Sequence, residues 1–204
     1  VEEPPESPRR TLPVVVAGVA GLLVVAAAVV LPLVLLGDDD EGSRSTAGPS
    51  STVDTSNLDL VEEYDVQPFH VREDVDYPQT PPVGGDHFDA WLDCGVYDVP
   101  VPDENAVHDL EHGSVWITYR PDLVDPAGVD ELAAQLPANG IMSPVPDQEA
   151  PAVITVWGRQ LALVGPDDPR IGLFLDAYGA GETAPEPFGS CAGGTAQLDL
   201  GSNA

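Results

Sequence analysis

Apolar and polar positions divide the chain into unlike stretches. From Pro13 to Leu36 runs PVVVAGVAGLLVVAAAVVLPLVLL, without a charge. A bilayer core calls for roughly 20 apolar residues in helical form, so the pattern predicts one transmembrane helix over 13–36. Arg9 and Arg10 precede it and DDDE, Asp38 to Glu41, follows. By the positive-inside rule the tail 1–12 is cytoplasmic and everything after Gly37 is extracytoplasmic. A cleaved signal peptide is the rival reading, but it has a shorter apolar region and a small-residue cleavage site. LPLVLLGDDD offers neither, which favours a retained single-pass anchor in the cell membrane. Residues 37–60 are mostly Gly, Ser, Thr and Asp with little to bury and read as a flexible linker. An extracytoplasmic domain is expected over 61–191, with a loose tail at 192–204.

Within that domain the pattern changes period. SVWITY (114–119) is a β-branched and aromatic run bounded by Gly113 and Pro121, the signature of a strand. DPAGVDELAAQL (125–136) has Asp125 as cap, Pro126 at the first helical position, and Val129, Leu132, Ala133 and Leu136 on one face. IMSPV (141–145) reads as a strand, and AVITVWGRQLALV (152–164) as a strand or a hairpin bending near Gly158-Arg159. RIGLFLDAY repeats Ile171, Phe174, Leu175 and Tyr178 at helical spacing and meets Gly179. The order predicts an α+β fold, a small mixed sheet with helices packed on one face. A thioredoxin-like arrangement is the alternative: Pro151 precedes a strand, though no CxxC accompanies it. The three tryptophans read as core.

Charge narrows the partners. The chain has 35 acidic residues against 7 basic ones, every one an arginine, for a formal net charge of −28. Such a surface repels phosphate backbones, which excludes nucleic acid as a partner. It leaves attraction for cations, or simple solvation. The two cysteines, Cys94 and Cys191, both follow the apolar segment. In an oxidising compartment a lone pair of cysteines forms a disulfide, with a redox pair or two thiolate ligands as the other readings.

All four histidines, His70, His87, His108 and His112, fall in the turn-rich half. Asp103 reads as the cap of a short helix that Gly113 ends, which sets Asn105, His108 and His112 on one face. Imidazoles four apart on a helix can share an ion. HDLEH also spells a metallopeptidase pattern, but that class needs a long helix and a further acidic ligand. His87 follows PPVGGD, a permissive loop able to bring in a third imidazole. The ordinary alternative is that His112 satisfies a helix C-terminus and His108 a loop. Ser114 lacks the surroundings of a nucleophile.

HVREDVDYPQTPPVGGDHFDAWLDCGVYDVPVPDENAVHDLEHGSVWITYRPDL, with VITVWGRQL and APEPFGSC, resembles domain-of-unknown-function family 3105 over about residues 64–191. The resemblance implies a bacterial protein with one N-terminal membrane segment and an exported domain. It sets the four histidines, Glu104, Glu111, Cys94 and Cys191 at motif positions, and carries no known reaction, cofactor or partner. Asp109 stands where similar proteins carry a small Ser, a minor departure.

The expectation is a metal site of His87, His108, His112 and Glu111, supported from behind by His70, Glu104 and Asn105. Imidazole and carboxylate suit borderline ions, zinc or copper(II). The competing expectation is a non-catalytic module that docks on another cell-envelope protein.

Overall fold

The structure, a computed structural model, describes residues 53–195. The expected cytoplasmic tail, the membrane segment 13–36 and most of the linker lie outside those residues, as do 196–204. Among the described residues no helix is long and apolar enough to cross a membrane.

The elements in chain order are β1 (Glu62–Glu63), β2 (Gly95–Val96), α1 (Asp103–Glu111), β3 (Val115–Tyr119), α2 (Pro126–Gln135), β4 (Gly140–Pro144), β5 (Ala152–Val156), β6 (Arg159–Leu163) and α3 (Arg170–Tyr178). They form a mixed α+β fold around a six-stranded sheet of order β1-β6-β5-β3-β4-β2. β3 and β4 run parallel, joined by α2, while β5 runs antiparallel to both β3 and β6. The β5–β6 hairpin turns at Trp157-Gly158, where Gly158 takes φ +69°. Pro151 stands directly before β5.

One expectation is corrected: the helices do not all lie on one face. Val115, Ile117 and Tyr119 of β3 pack with Leu132 of α2 and Ile171 and Phe174 of α3. Trp116, which points the other way from the same strand, packs with Ala106, Val107 and Leu110 of α1. The cause is already spelled in VWITY, which is apolar through most of its length rather than alternating. All five residues are buried, and a strand buried on both faces needs cover on both. Where the indole of Trp116 enters the second core, its N–H donates to Ser143 Oγ at 3.0 Å, so burial leaves no donor unpaired.

Local chemistry fixes the ends of the helices. Asp125 caps α2 by accepting from Gly128 N at 2.9 Å. Asp103 does not cap α1: the cap position is Pro102, without a side-chain bond, and Asp103 lies in the first turn. Burial there, with Glu104 beside it, pushes the Asp103 carboxyl up to about 6. Gly113 turns the chain out of α1 at φ +78°, the left-handed region that only glycine enters cheaply. The disulfide joins Cys94 to Cys191 across 97 positions. Beyond it Thr195 bridges to Leu92 and donates to Trp91 O, so residues 192–195 return against the domain.

Candidate metal centre

The centre is assembled from α1 and two loop segments. α1 carries His108 and Glu111 on a face covered by the loops, while Val107 and Leu110 go fully into the core. His87 arrives on the PPVGGDH loop, where Gly84 and Gly85 take φ +138° and +118°. A Cβ on Gly84 would stand 2.7 Å from Val66 Cγ2 and 3.3 Å from the Trp157 ring, so glycine is required for the loop to come this close. His70 is tied to His87 by a short parallel bridge, with Val71 N donating to His87 O at 2.7 Å and His87 N to Phe69 O at 2.9 Å.

One ligand atom from each of His70, His87, His108 and Glu111 lies within 4.8 Å of every other. Glu111 Oε2 is 3.0 Å from His87 Nε2 and 3.3 Å from His70 Nε2. A tetrahedral ion with bonds of 2.0–2.2 Å separates its ligands by roughly 3.3 Å, so a small contraction would close the group around one. His87 and His108 are 0% and 4% exposed and Glu111 6%.

The ring nitrogens that face outward set the chemistry of those that face inward. His87 Nδ1–H donates to Gly85 O at 2.7 Å, and His108 Nδ1–H to Phe88 O at 2.7 Å. In a neutral imidazole with its proton on Nδ1, Nε2 carries a bare lone pair. That lone pair on His87 looks at a carboxylate oxygen 3.0 Å away, a contact that repels unless a proton or a cation lies between them. Burial favours the neutral form of His108, and although the bond to Phe88 O opposes this, nearby His112 and His87 reinforce it, so its pKa falls. A neutral imidazole oriented through its second nitrogen by a carbonyl is the ligand form.

The remaining expected residues fall into place around this group. His112 occupies the C-terminal cap of α1 and stands outside the four-atom group. Its Nε2 lies 3.2 Å from His108 Nε2 and 3.6 Å from Glu186 Oε2. Glu104 accepts from Val75 N at 2.8 Å and Asn105 donates to Ala90 O at 2.6 Å; both pin loops that flank the histidines without touching them. Asp109 is not a minor departure. It is fully buried, accepts from Leu92 N at 3.0 Å, and burial pushes its carboxyl up to about 8. Ser114 is buried, its hydroxyl donated to Asn139 Oδ1 at 3.1 Å. Two tryptophans read as core also wall the centre: Trp157 meets the His87 ring edge-on, and Trp91 stacks near His108 and meets His112.

What the sequence reading missed is the position of His70 inside the group, together with Glu186. The pairing of His70 with His87 spans seventeen positions and leaves no periodic trace. The partial signal was that all four histidines share one half of the chain.

A mixed α+β domain with a cluster of three imidazoles and one carboxylate, buried except at His70, is the class that fold and site define. Residues 70–193, more than half of the chain and all four histidines with both cysteines, match the family described as Protein of unknown function (DUF3105); the chain belongs to that family. No curated protein and no solved structure matches it.

Proposed function

We propose that the protein is a membrane-anchored, extracytoplasmic metal-binding domain that holds one divalent borderline ion through His70, His87, His108 and Glu111. The observation that carries this reading is the convergence of one donor atom each from His70, His87, His108 and Glu111 within 4.8 Å of one another, with the His87 and His108 rings locked through Nδ1 to backbone carbonyls. The donor set has nitrogen and oxygen but no sulfur, which suits Zn²⁺ or Cu²⁺. The chain after Gly37 carries 32 acidic residues against five arginines, a net charge that attracts cations. His70 enters the proposed ligand set in place of His112, because His112 Nε2 is directed at His108 and Glu186 rather than at Glu111.

The test is metal analysis of the full chain purified without a histidine tag. One equivalent of zinc or copper is expected in the wild type and less than half of that in a His87→Ala, His108→Ala double variant. Retention of the full equivalent by the double variant would sink the assignment. The anchor is supported by the charge-free segment 13–36 with arginines on one side and acids on the other. Protease added outside intact cells is expected to remove the domain; full protection of the domain would reject that orientation.

A further inference from the structure

Resting on this metal reading, we propose that the ion is an exchangeable cargo rather than a fixture. Three buried ligands retain it, and His70 is the gate through which it passes by ligand exchange to an acceptor with imidazole or carboxylate donors. The four proposed ligands are unequal. His87, His108 and Glu111 are almost wholly buried, whereas the His70 side chain is 49% exposed. His87 and His108 are each fastened through Nδ1 to a carbonyl. The His70 side chain makes its one hydrogen bond to Glu111.

The backbone under His70 is also lightly held. It sits in a single bridge rather than a strand, and Phe69, Arg72, Glu73 and Asp74 around it are exposed. Nothing on that side prevents the imidazole from swinging away, while the other three donors have no such freedom. A structural ion is held by closed, fixed ligand sets; this cluster has one loose member facing solvent.

A second observation points the same way. His112 Nε2 stands 3.2 Å from His108 Nε2, the spacing of neighbouring ligands on one ion, and is 3.6 Å from the exposed Glu186 carboxylate. The neighbourhood therefore offers more donors than a four-coordinate ion uses, which lowers the cost of losing His70 for a moment. In the exchange step the bond from the ion to His70 Nε2 breaks as one forms to the incoming nitrogen or oxygen. The ion keeps its charge and no electron moves.

Zinc-loaded full chain, mixed with an excess of a chromogenic chelator at several concentrations, tests this directly. Release is expected to speed up with chelator concentration, because the incoming donor attacks at the open side. His70→Ala is expected to bind zinc more weakly than the wild type, to take up one equivalent under loading excess, and to release it at least tenfold faster. Release at a rate independent of chelator, unchanged in His70→Ala, would overturn the gate and leave the metal site intact. Loss of zinc from His70→Ala under loading conditions would overturn it too, since the three buried ligands would then not suffice to retain the ion. If His70→Ala fails to fold, the concentration dependence in the wild type decides alone. A wild type that takes up no zinc or copper is a different result, visible at loading, and removes the metal reading beneath this one.

Discussion

His87 and His108 are directed by main-chain carbonyls two and twenty residues away, those of Gly85 and Phe88, so the backbone sets the aim of each ring. His108 and Glu111 were legible because a helix of known start and stop fixes its faces. His87 was legible because two glycines free the loop before it. His112 stands beside His108 as the spacing of four predicts, their Nε2 atoms 3.2 Å apart, but it is the cap of α1, at φ −78° and ψ 6°, and lies outside the four-atom group. Two predictions belong to this scale. Glu111→Gln keeps the shape of the side chain and removes the anion that faces both His87 and His70. It is expected to weaken zinc binding at least tenfold, the low end for disturbing a metal's surroundings, with an unchanged far-UV spectrum; titration calorimetry checks it. Gly84→Ala must fit a Cβ into contact with Val66 and Trp157 at a positive φ. A loss of about 1–3 kcal/mol is expected, read as a lower urea midpoint.

At the scale of elements, periodicity served best where one face is buried. α2, α3 and the β5–β6 hairpin appear at the expected positions, since one apolar stripe or one turn glycine defines each. It served worst for β3, because a run buried on both sides carries no alternation to say which helices cover which face. The start of α3 holds a feature that spacing alone does not announce. Asp168 and Arg170 form a fully buried ion pair, with Nη2 to Oδ2 at 2.6 Å, and Arg170 also donates to Ala162 O on β6 at 3.1 Å. Burial raises the Asp168 pKa, but the bonds from Arg170 and from two backbone amides outweigh it, and the net shift is downward from 3.8. A depressed carboxylate pKa means that the unfolded chain binds the proton more tightly, so stability falls as pH drops. This contribution is complete above the unfolded value and lost as pH falls through the folded one. Asp168→Asn leaves Arg170 buried without its partner charge. It should cost about 3–5 kcal/mol at neutral pH and flatten the acid limb of stability below about pH 4. Urea midpoints of both proteins across that range provide the check, and parallel acid limbs would reject it.

Across the whole molecule two ties hold the part that lacks regular structure. Before α1 the described chain contains only β1 and β2, two residues each, so little of it is secured by sheet or helix. The first tie is covalent: the Cys94–Cys191 bridge closes a long loop. In the chain-entropy account such a closure contributes about 4–5 kcal/mol. Its removal by paired Cys94→Ala and Cys191→Ala substitutions is expected to lower stability by that order in urea. The second tie is the proposed ion, which would join His70 and His87 of the loop half to His108 and Glu111 of α1. Any ligand that binds only the assembled site adds RT ln(1 + [L]/Kd), about 2.7 kcal/mol at a hundredfold excess over Kd. Opening the loop half separates His70 and His87 from α1, so the amides of Val71 and His87, which close the bridge between them, should report that gain. With zinc at a hundred times Kd their hydrogen exchange is expected to slow by up to about a hundredfold relative to chelator-treated protein. The slowing should vanish in His108→Ala, which leaves the bridge itself untouched. If zinc binds yet those amides exchange at the same rate with and without it, the ion is not what fastens this half to the rest.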